Sequence, residues 1–120
     1  MTSPVTDFYC ENILSGILDV HVVIETDHVL AFHHTKPYFE NHIVIIPKRH
    51  IDSLSSPEPI SAQLALEFMQ VINKISILLE NKSGGCRVSS NVGDYQSTKH
   101  LHWYVHSGKR IRNEDGSPIK

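Results

Sequence analysis

His100, His102, Tyr104 and His106 alternate strictly with Leu101, Trp103 and Val105. A period of two is that of a half-buried β-strand, so the polar side chains form one row and the apolar ones the other. At roughly 6.6 Å per two residues, the row runs about 20 Å. Three readings are open. The first is a solvated sheet face that is rich in histidine. The second is a metal site, because an H-x-H pair on one strand suits zinc or iron with a third ligand nearby. Against it, no Asp or Glu follows before Glu114, and a long mid-chain helix fits badly with the jelly-roll barrels that use such pairs. The third is nucleophilic catalysis. A neutral imidazole nitrogen attacks phosphorus well when an acceptor holds the other nitrogen and fixes the tautomer. Asn91, Gly93, Gln96 and Ser97, just upstream, supply donors suited to phosphate and sugar oxygens.

The elements that must position this row can be read in order. Residues 7–14 predict a short helix with Thr6 as N-cap. Residues 20–25 (VHVVIE) and 29–33 (VLAFH) predict a hairpin, and 36–41, with Pro37, a loop. Residues 42–47 (HIVIIP) predict a strand buried on both faces, ended by Pro47. Ser55 with Glu58 reads as a capping box opening one long helix that runs to about Asn81. Its apolar stripe is Ile60, Leu64, Phe68, Val71, Ile75 and Leu78, with Phe68 and Met69 read as core. Gly84 and Gly85 end it. Residues 86–91 and 98–106 predict two further strands around a turn at Gly93. The sum is an α+β domain: an antiparallel sheet of about five strands, one long helix on one face and a short N-terminal helix. Residues 1–108 form one domain, and 109–120 a polar tail that packs loosely or against a partner.

At 120 residues the chain suits a single domain that buries roughly two-thirds of its unfolded surface. A net charge of −2 argues against nucleic acid and anionic membranes as partners. Cys10 and Cys86 are too few for a disulfide framework. With no signal-peptide pattern and no uninterrupted membrane-length apolar run, the expected location is the cytoplasm. The unusual feature is nine histidines, five of them within 99–106 and 32–34.

These residues carry a resemblance. The segments LAFH (30–33), HIVIIPKRHI (42–51), the helix, and Asn91…Gln96-Ser97…His100-Leu101-His102 resemble the histidine triad (HIT) nucleotide-binding family over roughly residues 8–108. Its motif is His-φ-His-φ-His-φ-φ, with φ apolar. The resemblance implies a dimer through the long helix and a shared sheet, with one nucleotide site per subunit. It implies that His102 is the nucleophile, that the backbone carbonyl of His100 holds the other nitrogen of His102, and that His42 buttresses the triad. It assigns Asn91, Gln96 and Ser97 to the phosphate side, and Phe32, His34 and Thr35 to base and ribose, with Val44 behind them.

The chain departs from the family pattern at named places. Tyr104 stands at the third triad position, and His34 where the best-known branch has a ribose-side aspartate. The loop from Asn91 to Gln96 is shorter than in that branch. Zinc-binding members carry a Cys-x-x-Cys pair near the N-terminus; Cys10 stands alone, so no metal and no cofactor are expected. The implied activity is hydrolysis of a nucleoside phosphoramidate or phosphoanhydride through a nucleotidyl-histidine on His102, with a purine nucleotide or nucleoside phosphate conjugate as ligand and a homodimer as the assembly. The alternatives are a nucleotide-binding regulatory protein with little turnover, because Tyr104 lacks the imidazole, and a nucleotidyltransferase.

Overall fold

A computed structural model describes residues 7–16 and 19–119. Its strands are β1 (Val22–Glu25), β2 (Val29–His33), β3 (Phe39–Pro47), β4 (Arg87–Ser89) and β5 (Trp103–Arg110), and α1 (Ala62–Ser83) lies between β3 and β4. They form one antiparallel sheet in the order β1-β2-β3-β5-β4. The fold is therefore the expected α+β architecture.

The alternation along β3 divides the core into two. Ile43 and Ile45 join Val29, Ala31, Leu101 and Val105 beneath α1, against Leu64, Phe68, Val71, Ile72, Ile75 and Leu79. Val44 and Ile46 face the other way, with Leu30 and Phe32, against Tyr9 and Ile13 of a short N-terminal π-helix (Tyr9–Leu14). A strand that is apolar on both faces is what this double packing requires. The polar row stands on the second face, so the candidate site lies opposite α1. Glu67 of α1 accepts the His28 N–H at 2.8 Å and ties the β1–β2 turn to the helix.

Several expected boundaries shift. The Thr6 cap lies outside the described residues. The expected loop at 36–41 is partly strand, because Phe39 and Asn41 pair with Arg110 and Ser107 of β5. The long helix does not open at Ser55. Its N-cap is Ser61, whose side chain accepts the Leu64 N–H at 3.1 Å. The reason is Pro59, which forces Glu58 out of helical conformation, while Ser53 and Ser55 bond to one another in a separate turn. At the far end Gly84 closes α1 with φ of 84°, a left-handed cap that favours glycine. The stripe ends on Leu79, and Leu78 is half-exposed, as a 3.6-residue period predicts when counted on from Ile75.

β5 starts late. Pairing with β3 ends at Ile45↔Trp103, so His100 and His102 lie in an extended approach to the strand. That approach is held instead by the Leu101 N–H, which donates to the Ile51 carbonyl at 2.6 Å. β5 then continues to Arg110, past the expected end of the domain, and the tail folds back as a small turn bridged at Arg112↔Pro118. Arg112 Nε donates to the Pro37 carbonyl at 2.8 Å, so the tail docks on the loop that follows His34. α1 is long and apolar enough to cross a membrane by length and composition alone; here one side of it covers the sheet.

Candidate active site

His102 is almost wholly buried, at 1% exposure. Its Nδ1–H donates to the His100 backbone carbonyl at 2.8 Å, which fixes the tautomer and leaves Nε2 with the lone pair. Burial holds its pKa below the ordinary value, although the bond to the His100 carbonyl pulls the other way. The ring is therefore neutral at pH 7. Ser90 Oγ donates to the His102 carbonyl at 2.6 Å and fixes the backbone from the β4 side.

His42, the fourth residue of β3, accepts the Tyr38 N–H on Nδ1 at 3.0 Å. Its Nε2 then carries the proton, and this buried N–H has no hydrogen-bond partner among the described residues. The ring stacks on His34 at 4.4 Å and meets Tyr104 edge-on at 4.7 Å. Burial, reinforced by the neighbouring imidazoles of His34, His106 and His102, lowers the pKa of His42 to about 3. His34 is held at about 4, mainly by burial, with His102 and Arg112 nearby. Its Nδ1 accepts the Lys36 N–H at 2.9 Å, so Nε2 presents a donor.

Two phenols flank His102. Tyr104 is 4.8 Å from it and Tyr9 5.5 Å, ring centre to ring centre. Burial raises the pKa of Tyr104, so it keeps its proton. The adjoining cavity, about 180 Å³, is lined by Phe8, Tyr9, Phe32, His34, Thr35, Val44, Ser97, Thr98 and Tyr104. Larger hollows lie elsewhere, the one beside the start of α1 being lined by His28, Lys48 and Arg49 without any of the histidine row.

Of the residues expected at the site, Phe32, His34, Thr35, Val44, Ser97 and Tyr104 meet around this cavity, and His42, His100 and His102 stand behind it. Gln96 does not face it. Its Nε2 donates to the carbonyls of Asp52 and Thr98 at 2.8 and 3.2 Å, and its Oε1 accepts the Gly93 N–H at 3.1 Å. It braces the loop from within. Asn91 is outside the lining as well. His106 stacks on Phe39 at 3.9 Å, away from His102.

The sequence reading missed a second layer. His100 is fully buried; its Nε2–H donates to the Pro47 carbonyl at 2.9 Å, and its Nδ1 is 2.8 Å from Asp7 Oδ2. His50 Nδ1 bonds the same Asp7 oxygen, and its Nε2 lies 2.6 Å from Asp52 Oδ1. Burial opposes a charge on His50, but the carboxylates of Asp52 and Asp7 outweigh it and raise its pKa. Cys10 Sγ is 3.4 Å from His100 Nδ1; burial and then Asp7 push its thiol up to about 11. The available signal was Asp7-x-x-Cys10, which has the spacing of a metal-binding cysteine pair with a carboxylate in first place.

Donor atoms of Asp7, Cys10, His50 and His100 lie within 4.8 Å of one another, and their types are ones that zinc accepts. The spacing seen is that of hydrogen bonds rather than of metal ligands. Ligands bonded at about 2.0–2.1 Å in a tetrahedral site stand roughly 3.3 Å apart, whereas Asp7 Oδ2 and His100 Nδ1 are at the hydrogen-bond distance of 2.8 Å. The carboxylate oxygen itself occupies the point where the two imidazoles converge.

Comparison with known proteins identifies the domain family. The HIT domain model matches residues 16–111, a span that begins after Asp7, Tyr9 and Cys10. An uncharacterised HIT-like protein of Azospirillum brasilense is 33% identical over 103 residues, covering 82% of this chain and 84% of that protein. A histidine triad protein from Clostridium difficile superposes with a TM-score of 0.73 at 33% identity, over 93% of this chain and 98% of that one. A HIT family hydrolase from Clostridium thermocellum gives a TM-score of 0.74 at 25% identity, over 93% and 98%. With the sheet order, the histidine pair and the matched span in agreement, the chain belongs to the HIT domain family.

Proposed function

We propose that the chain is a nucleotide-binding hydrolase that works through a covalent nucleotidyl-histidine on His102. The observation that carries this reading is the 2.8 Å bond from His102 Nδ1–H to the His100 carbonyl, which leaves Nε2 as a neutral nucleophile. Nε2 attacks the α-phosphorus of a nucleoside phosphoramidate or phosphoanhydride. A P–N bond forms to the imidazole while the bond to the leaving amine or phosphate breaks. Water then attacks the same phosphorus, breaks that P–N bond and releases the nucleoside monophosphate. Tyr104, read as standing at the third triad position, can supply a hydroxyl hydrogen bond to phosphate or leaving group, although with a pKa above the usual value of about 10 it brings no positive charge.

Phe32 and Val44 offer an apolar floor for a purine base, and Ser97 a hydroxyl on the phosphate side. His34 offers a donor, where a carboxylate would accept from the ribose hydroxyls. A homodimer is supported by two surfaces. Leu66, Met69 and Ile77 lie exposed on the side of α1 opposite its buried stripe, and Val88 is exposed on the edge strand β4.

Mass spectrometry of the protein mixed with an adenosine phosphoramidate tests the reading. The expected result is a transient nucleotidyl adduct on His102, absent from His102→Ala. Binding of nucleoside monophosphate with neither adduct nor product would sink it in favour of a regulatory binding protein. The near-complete burial of His102 is the observation that favours this second reading.

A further inference from the structure

We propose that Asp7 is a positioning residue for His102: its carboxylate clamps His100 and His50 together and so fixes the backbone carbonyl that holds the His102 ring. The inference rests on reading His102 as the reactive residue, and goes beyond it by assigning a task to an N-terminal side chain outside the span that defines the family match.

The two carboxylate oxygens have separate partners. Oδ1 accepts the Cys10 N–H at 3.0 Å, which caps the first turn of the N-terminal segment. Oδ2 receives both imidazoles, His100 at 2.8 Å and His50. Burial alone would raise the Asp7 pKa; the Cys10 N–H and then His100 outweigh it and bring it to about 2. Asp7 is therefore ionised, and charge-assisted bonds of this kind are roughly twice as strong as neutral ones.

The clamp reaches the site by a short route. His100 is gripped at both ring nitrogens, by Asp7 and by the Pro47 carbonyl at the end of β3. The residue cannot turn without breaking one of these. Its own carbonyl, on the other side of the same Cα, is the acceptor for His102 Nδ1–H. A second arm runs from His50 to Asp52, whose carbonyl accepts from Gln96 in the loop that leads to His100. Since β5 begins only at Trp103, the sheet ladder does not hold residues 100–102. The clamp fixes His100, while the Leu101–Ile51 and Ser90–His102 bonds hold the backbone beside it.

The test is the tautomer of His102, read by long-range proton–nitrogen correlation NMR on nitrogen-15-labelled protein at fixed neutral pH. In the wild type a single tautomer is expected, protonated at Nδ1. Asp7→Ala should give mixed or exchange-broadened His102 signals. Asp7→Asn keeps an oxygen for the Cys10 N–H but loses the charge, and should also disturb His102. Cys10→Ala should leave it unchanged. Should Asp7→Ala fail to fold, Asp7→Asn and His50→Ala carry the same measurement. Where turnover is measurable, Asp7→Asn should lower kcat on the order of 10- to 100-fold with KM little changed, which a merely structural role would not separate. An unaltered single tautomer in Asp7→Asn and His50→Ala would overturn the proposal. So would stoichiometric zinc in the purified wild type that chelators remove, for the side chains would then be ligands. If the wild type turns over no nucleotide, the activity reading fails while the NMR result still decides this one.

Discussion

The ring centre of Tyr9 lies 5.5 Å from that of His102, so the N-terminal π-helix closes over a residue near the other end of the chain. Tyr9 also meets Phe32 at 6.1 Å and His100 at 5.7 Å. One phenol therefore joins the wall of the cavity to both histidines. Tyr9→Ala is expected to expose His102. Acylation by diethyl pyrocarbonate, followed residue by residue by peptide mass mapping, should then be several-fold faster at His102 and unchanged at His33. Equal rates at His102 in the two proteins would show that another group controls access. The substitution should also cost roughly 3 kcal/mol in stability, as large-to-small changes of buried aromatic residues do.

Tyr104→His separates two views of Tyr104, which the proposal reads as standing at the third triad position. A new imidazole there would share a neighbourhood in which burial already holds His34 at about 4 and His42 at about 3. It would be neutral at pH 7 and a weak source of positive charge. The expected change in kcat is accordingly less than about tenfold, well short of the 10²–10⁴ that a fully effective general acid contributes. Steady-state kinetics at pH 7 would show it, and a gain above a hundredfold would mean that Tyr104 had been limiting the reaction.

Acid should loosen the fold in a defined window. His34 and His42 bind protons less readily in the folded chain than in the unfolded one, where they titrate near about 6.5. Stability is therefore full above that value and declines as pH falls, through about 4 for His34 and about 3 for His42. Asp7, lowered to about 2, adds loss in the same direction below about 4. Urea midpoints measured at pH 7, 5.5 and 4.5 should fall in that order. His34→Gln should shrink the drop, and a flat series would contradict the neutral state assigned to the two imidazoles.

Leu66→Glu together with Met69→Glu tests the dimer. Leu66 and Met69 are 60% and 58% exposed on a face that α1 does not use against the sheet. A charge on each should leave the monomer fold unchanged by circular dichroism and shift the sedimentation profile to the monomer. By contrast, Ile75→Ala, at a fully buried position on the other side, should cost about 2–5 kcal/mol without acting through assembly. A wild type that already sediments as a monomer would remove the dimer from the proposal.

The fold was legible where local rules decide. β2 and the apolar centre of β3 follow from branched residues, and the end of α1 from Gly84. The start of α1 was misread because the Ser55–Glu58 pattern satisfies a capping box while ignoring Pro59. The pairing of Phe39 and Asn41 was invisible because it depends on β5, far along the chain. His100 and His102 stood out by their local spacing, whereas His34 and Phe32 were assigned by the family resemblance and line the cavity. Gln96 looked like a ligand donor, yet its amide is consumed by Asp52, Thr98 and Gly93, and no pattern in 91–97 reports that. Asp7 and Tyr9 were missed for the same physical reason: their partners are His100 and His102, and only the folded chain brings them together.

The late start of β5 has a consequence for how this protein tolerates improvement. A sheet is stabilised by extending its ladders, and residues 98–102 alternate well enough to invite it. Pulling them into register with β3 would recruit backbone groups around His100 to a neighbouring strand, in competition with the ring of His102. Selection for thermostability alone would thus be expected to lengthen this strand and erode the site. The unzipped end of the ladder marks a place where robustness and the proposed reactivity of His102 are opposed.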